Sequence, residues 1–146
     1  MLNRRIAVVG AAFKPMTDDV RDSPALNVAA ALHLRGAQVT LWDPEAMETA
    51  RRSFPTLTYA GSMTEAIEGA DLVLVLTEWD EVVEADPVAL AALVGQRVVI
   101  DARNCLPAAR WVGAGWTVRS LGRPSPAAAP ATSVAAGVTD ALVTAR

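Results

Sequence analysis

The feature that most constrains this chain is a set of short, wholly apolar runs, each closed by a turn or loop residue. Leu72-Val73-Leu74-Val75-Leu76 offers no polar position to face water. Ile6–Val9 is built the same way and stops at Gly10, and Arg97–Ile100 stops at Asp101. Gln38–Trp42 is rich in β-formers and stops at Asp43-Pro44, while Leu57–Tyr59 and Thr117–Leu121 are shorter strand signals. A strand that is apolar on both sides belongs in a sheet covered on both faces, the habit of parallel sheets.

Helical signals lie between these runs. Ser23-Pro24 is a strong start, because Ser accepts from the first-turn amides and Pro is preset for the first helical position. Leu26, Ala30 and Leu34 then repeat at helical spacing up to Gly36. Asp43-Pro44 reads as a second start, with Asp43 as N-cap, before a helix over Glu45–Arg52. Ser62–Glu68, Pro87–Leu93 and Pro107–Ala114 are three more helices, stopping at Gly69, Gly95 and Gly115. Strands alternating with helices predict right-handed crossovers and an α/β fold: a Rossmann-like open, mainly parallel sheet of five or six strands with helices on both faces.

The 146 residues, 52% hydrophobic and 20% charged, suffice for one packed domain, expected over 1–123. From 124 to 146 the sequence turns Pro- and Ala-rich, and it is read as a C-terminal tail. Within that tail Val134, Val138 and Leu142 are spaced for a short amphipathic helix, which Gly137 weakens. A net charge of −3 argues against a nucleic-acid surface. No apolar run reaches the roughly 18–20 residues that span a bilayer, so no membrane partner is expected. Met1–Arg5 opens no signal peptide, and a single Cys and a single His leave no disulfide framework and no metal centre. A cytoplasmic protein is expected.

Three segments at the carboxyl ends of strands, where open α/β sheets bind ligands, carry chemistry. The first runs from Gly10 to Ser23, more than twice the roughly 2–6 residues of an ordinary βα connection. It holds Lys14, the one Lys beside twelve Arg in the chain, and Arg21, and it opens onto a helix N-terminus. Backbone amides, an ammonium and a guanidinium suit an anion, above all a phosphate. An equal alternative is a solvated loop in which Asp18, Asp19 and Asp22 pair with Lys14 and Arg21. The segment lacks the second and third glycines of a dinucleotide fingerprint. Asp43 stands where a ribose-binding acid would, although Pro44 behind it favours the N-cap reading. The second segment, Asp101–Cys105, carries Arg103, which either shares a ligand with the first loop or pairs with Asp101. Cys105 reads as an incidental thiol, because His33, in the first helix, offers it no base. The third is Thr77-Glu78-Trp79-Asp80, whose Trp79 reads as loop packing more than as a pocket wall. Trp42, Trp111 and Trp116 read as core or near-surface packing.

The string Gly-Ala-Ala-Phe-Lys-Pro-Met-Thr-Asp-Asp-Val-Arg-Asp-Ser-Pro, residues 10–24, resembles the UDP-glucose/GDP-mannose dehydrogenases, and within them the C-terminal UDP-binding domain. Gly36–Val39 leading to Asp43-Pro44, Ala70-Asp71, Thr77–Asp80 and Asp101–Asn104 follow in the order and spacing of that family, from about residue 4 to 123. The resemblance implies NAD-dependent oxidation of a nucleotide sugar's C6 alcohol to a carboxylate, in two steps, in polysaccharide biosynthesis. It implies that Phe13 and Lys14 contact UDP, that Arg103 reaches the nucleotide sugar, and that Arg21 closes over NAD held mostly by another domain. Thr77–Asp80 is more typical of the UDP-glucose branch. The family's catalytic cysteine segment, Gly-Phe-Gly-Gly-x-Cys-x-Pro-Lys-Asp, is absent, as are its NAD fingerprint and its central helices. The expectation is therefore a UDP-sugar-binding domain, partnered by the NAD-binding and central helical domains of the same enzyme and inactive alone. A stand-alone nucleotide-sugar-binding or regulatory module is the alternative.

Overall fold

The computed structural model describes residues 2–124. The expected tail, including the helix placed over Ser133–Ala145, lies outside the described residues except for Pro124. In chain order the elements are β1 (Arg5–Val9), α1 (Pro24–Leu34), β2 (Gln38–Trp42), α2 (Met47–Ser53), β3 (Thr58–Tyr59) and α3 (Met63–Ile67). They continue with β4 (Leu72–Val75), α4 (Asp80–Val83), α5 (Pro87–Ala91), β5 (Val98–Asp101), α6 (Ala108–Gly113) and β6 (Thr117–Ser120).

The six strands form one sheet in the order β3-β2-β1-β4-β5-β6. Every neighbouring pair is parallel. The register sets Val9 beside Trp42 on one side and beside Val75 on the other, and Val75 beside Asp101. The ends of β1, β2, β4 and β5 are thus level, and the loops after them leave from one edge. Direction reverses between β1 and β4, which makes that junction the switch point where open α/β sheets take ligands. With right-handed crossovers the same reversal puts α1 and α2 on one face and α3, α5 and α6 on the other. Burial agrees: Ile6, Ala7, Val8 and Val9 are all buried, so successive side chains on both faces of β1 are covered.

Helix α1 begins as its sequence requires. The Ser23 hydroxyl accepts from the Leu26 amide, and Pro24 sits at the first helical position. Trp111 and Trp116 pack edge to face with ring centroids 4.8 Å apart, and the Trp116 indole donates to the Pro87 carbonyl. Together they hold α6 to β6 and to the start of α5.

The short helix α4 starts at Asp80, the end of the Thr77–Asp80 segment. One expectation needs correction. Asp43 is not the N-cap of α2: the cap position is Ala46, which has no side-chain cap bond, and the helix starts at Met47. Asp43 has a different and larger task.

Candidate functional site

The long segment after β1 is an ordered strap. Gly10 has φ +102°, and a Cβ there would lie 2.5 Å from Thr77 Cβ and 2.6 Å from the Thr77 amide nitrogen. Only glycine suits that backbone and that approach of strand end to strand end. The Phe13 amide donates to the Asp19 carbonyl at 2.9 Å and closes Lys14–Asp18 into a lobe. The Thr77 hydroxyl donates to the Ala12 carbonyl, the Ser23 hydroxyl to the Ala11 carbonyl, and the Thr49 hydroxyl to the Asp18 carbonyl. The strap is therefore pinned to β4, to α1 and to α2. Phe13, 51% exposed, and the exposed Lys14 project from its first half.

Asp43 anchors this edge from below. It is 1% exposed. Its Oδ2 accepts from the amides of Ala11 and Ala12 at 2.7 and 3.0 Å and from the Trp79 indole at 2.9 Å. Its Oδ1 accepts from the amides of Glu45 and Ala46 at 2.8 and 2.7 Å. Five N–H donors satisfy a buried carboxylate without a cation. The amides that a dinucleotide's pyrophosphate would claim in a glycine-rich turn are thus taken by the protein's own acid. Together with the missing glycines, this means that the turn after β1 does not fit NAD, and Asp43 has no oxygen free to hold a ribose. Trp79 is buried over Asp43, as expected of a packing residue.

Across the switch point, Arg103 follows β5 and Glu78 follows β4. The Arg103 Nε donates to Glu78 Oε2 at 2.5 Å and Nη2 to Oε1 at 3.0 Å, a two-pronged pair. The guanidinium holds the Glu78 carboxyl below its ordinary range, and the carboxylate in turn raises Arg103. The pairing of Arg103 with Asp101, held open by the sequence, does not form. Buried Asp101 instead accepts from the Arg103 amide at 3.1 Å and the Leu106 amide at 2.8 Å, and so shapes the turn that presents Arg103. Burial and the neighbouring Asp101 push the half-buried Cys105 thiol up to about 12, which suppresses the thiolate a nucleophile needs.

Arg21 stands apart. It pairs with Asp19 through Nε and Nη2, each at 3.0 Å, on an exposed surface. The side-chain hydrogen bond from Arg21 lowers the Asp19 carboxyl to about 2. Arg21 and Asp19 line an open groove between the strap and Thr49 and Arg52 of α2. Of the pairings that the sequence held open in this loop, Arg21 with Asp19 forms. Lys14 makes no ion pair among the described residues.

The topology brings Lys14 and Arg103 to one edge, after strands that flank β4. At about 4.8 Å per strand, the ends of β1 and β5 are roughly 10 Å apart. The sequence reading missed three residues that organise the edge: Asp43 as a hub, Glu78 as the partner of Arg103, and Asp101 as a turn former. Each is an acid at or just past a strand's carboxyl end, and that position is the one sequence signal they share.

A parallel sheet with one switch point, an ordered strap over it and basic side chains from both sides defines a doubly wound α/β domain with its ligand edge at the junction of β1 and β4. The chain belongs to the UDP-glucose/GDP-mannose dehydrogenase family, whose UDP binding domain matches residues 7–108. It is 41% identical over 120 residues to the UDP-glucose 6-dehydrogenase of Rhizobium meliloti (strain 1021), covering 82% of this chain and 28% of that protein. It is 45% identical over 101 residues to a UDP-glucose 6-dehydrogenase of Haloferax volcanii, covering 69% of this chain and 23% of the relative. Among solved structures, a UDP-glucose dehydrogenase from the hyperthermophilic archaeon Pyrobaculum islandicum superposes with a TM-score of 0.66 at 34% identity, covering 75% of this chain and 24% of that one. The chain thus spans only about a quarter of the length of these relatives.

Proposed function

We propose that this chain binds the nucleotide end of a UDP-sugar for an NAD-dependent UDP-glucose-type 6-dehydrogenase, with oxidation at the sugar C6 carried out by domains outside this sequence. Lys14 supplies a point charge and Arg103 a planar fork to the diphosphate, and Phe13 lies against the UDP part. Arg21, on the far side of the strap, faces NAD held by another domain. The observation that carries the reading is the placement of Lys14 and Arg103 on one edge, on either side of the β1/β4 switch point. No chemical step is assigned to a residue of this chain.

Calorimetric titration with UDP tests it. A hydrogen bond to a charged group is worth roughly 1.5–3 kcal/mol, so Arg103→Ala weakens UDP about 10- to 100-fold. Lys14→Ala weakens it as well, with less discrimination among phosphate-bearing ligands, because an ammonium is not a fork. Arg21→Ala leaves UDP affinity nearly unchanged. Equal losses from Arg21→Ala and Arg103→Ala would make the strap itself the phosphate clamp and end this division of labour.

A further inference from the structure

The Nε–Nη2 edge of Arg103 is already filled. Glu78 takes both Nε and Nη2, and the two side chains are 36% and 35% exposed, so the pair stands where a ligand can reach it. The partners come from different strand ends, and each is held by its own loop. The Arg103 amide is bonded to Asp101, and Trp79, next to Glu78, is bonded through its indole to Asp43. Glu78 and Arg103 therefore meet because two anchored loops present them to each other. A carboxylate offers the same two coplanar oxygens that a phosphate or diphosphate offers to a guanidinium.

We propose that Glu78 is an internal counter-ligand that sets the affinity and selectivity of the nucleotide site. It occupies the Nε–Nη2 edge of Arg103 until a ligand brings two oxygens to that edge. A ligand with one acceptor replaces one of two hydrogen bonds and loses the exchange. A phosphate or diphosphate replaces both and releases Glu78 to water. The reading rests on Arg103 as a ligand-contacting residue. Its consequence runs against the usual effect of a mutation in a binding site: removing the acid tightens binding. An exposed pair of this kind leaves the fork free for a minor fraction of the time, and observed affinity is reduced by that fraction.

The test is calorimetric titration of the 146-residue chain with UDP, for wild type, Glu78→Gln, Glu78→Ala, Arg103→Ala and the Glu78→Gln/Arg103→Ala double variant. Both Glu78 substitutions are expected to tighten UDP about three- to tenfold, and that gain is expected to vanish in the Arg103→Ala background. UDP binding by wild type with no gain, or with a loss, on Glu78→Gln overturns the role of Glu78 alone. Absence of UDP binding in every variant overturns the nucleotide reading itself. An independent readout is the Arg103 Nε–H resonance in a ¹H–¹⁵N spectrum, assigned by its disappearance in Arg103→Ala. It is expected to exchange slowly in wild type and fast in Glu78→Gln. Exchange in wild type as fast as that of the exposed Arg119 overturns the pair without reference to any ligand.

Discussion

Asp43 shows how much one side chain can organise. Its two oxygens bind the strap through Ala11 and Ala12, the β4 loop through Trp79, and the approach to α2 through Glu45 and Ala46. Asn in its place keeps the shape but turns an amide NH₂ toward buried N–H donors on one side. Hydrogen bonds to charged groups are worth roughly 1.5–3 kcal/mol each, and an unsatisfied buried donor costs about 1–3 kcal/mol. Asp43→Asn is therefore expected to destabilise the domain by about 2–4 kcal/mol, read as a lower urea midpoint at unchanged slope. A loss below about 1 kcal/mol would show that water replaces the carboxylate at this edge. Asp19 is the opposite case. Its carboxyl is lowered to about 2 by Arg21, yet both groups stand in solvent. A depressed acid contributes its pairing above the ordinary carboxylate range and loses it as pH falls through the folded value. The Asp19–Arg21 pair should thus persist to about pH 2, with little effect on overall stability because solvent screens it. A carboxyl ¹³C titration is expected to place the Asp19 midpoint near 2, and Arg21→Ala to return it toward 3.8.

Among the elements, the strands were the most legible, because a run such as Leu72–Val75 admits few environments. The helix start at Ser23-Pro24 was legible as well, and its cap forms, with Ser23 bonded to the Leu26 amide; Asp86 before Pro87 caps α5 in the same way through the Val88 amide. Asp43-Pro44 carries the same dipeptide signal and does something else. Its Oδ1 accepts locally from Glu45 and Ala46, while its Oδ2 finds donors on two segments distant in sequence, Ala11–Ala12 and Trp79, so the residue joins three segments instead of only starting a helix. The strap depends on Gly10 in the same non-local way. Gly10→Ala drives a Cβ into Thr77 and places it on a backbone with φ +102°. Thr77 is wholly buried and bonded to the Ala12 carbonyl, so it has no room to withdraw. The variant is expected to lose about 2–4 kcal/mol of stability and to loosen residues 11–13, measured as faster amide exchange there. Protected amides at Ala11 and Ala12 in that variant would show that the strap tolerates the displacement.

At the scale of the whole molecule, the chain spans only about a quarter of the length of its relatives, and on the function proposed above the remaining walls of its site belong to sequence outside it. The 146-residue chain is expected not to reduce NAD in the presence of UDP-glucose. The family's cysteine segment is absent from it, and Cys105 is held as a thiol with its pKa near 12. Absorbance at 340 nm measures this, and iodoacetamide labelling at pH 8 should find Cys105 far slower than glutathione. Turnover that survives purification and disappears in Cys105→Ser would make Cys105 a nucleophile. Among the described residues, no helix is long and apolar enough to cross a membrane.

The sequence by itself determined the class of sheet, the order of the strands, the cap of α1 and the unusually long strap after β1. Each rests on local chemistry: apolar runs, proline and serine at a helix start, a loop too long to be mere connection. Only the tertiary structure decided what the acids do. Asp43, Glu78 and Asp101 stand at or just past the carboxyl ends of β2, β4 and β5, and nothing in their neighbours says whether they meet water, a ligand or one another. The parallel register levels those strand ends and brings β2, β1, β4 and β5 side by side. It thereby sets Asp43 under Ala11 and Trp79, and Arg103 against Glu78 instead of Asp101. Hydrogen-bond partners more than thirty residues apart, such as Asp43 with Ala11 and with Trp79, leave no periodic trace in a chain, because it is the sheet that supplies their proximity.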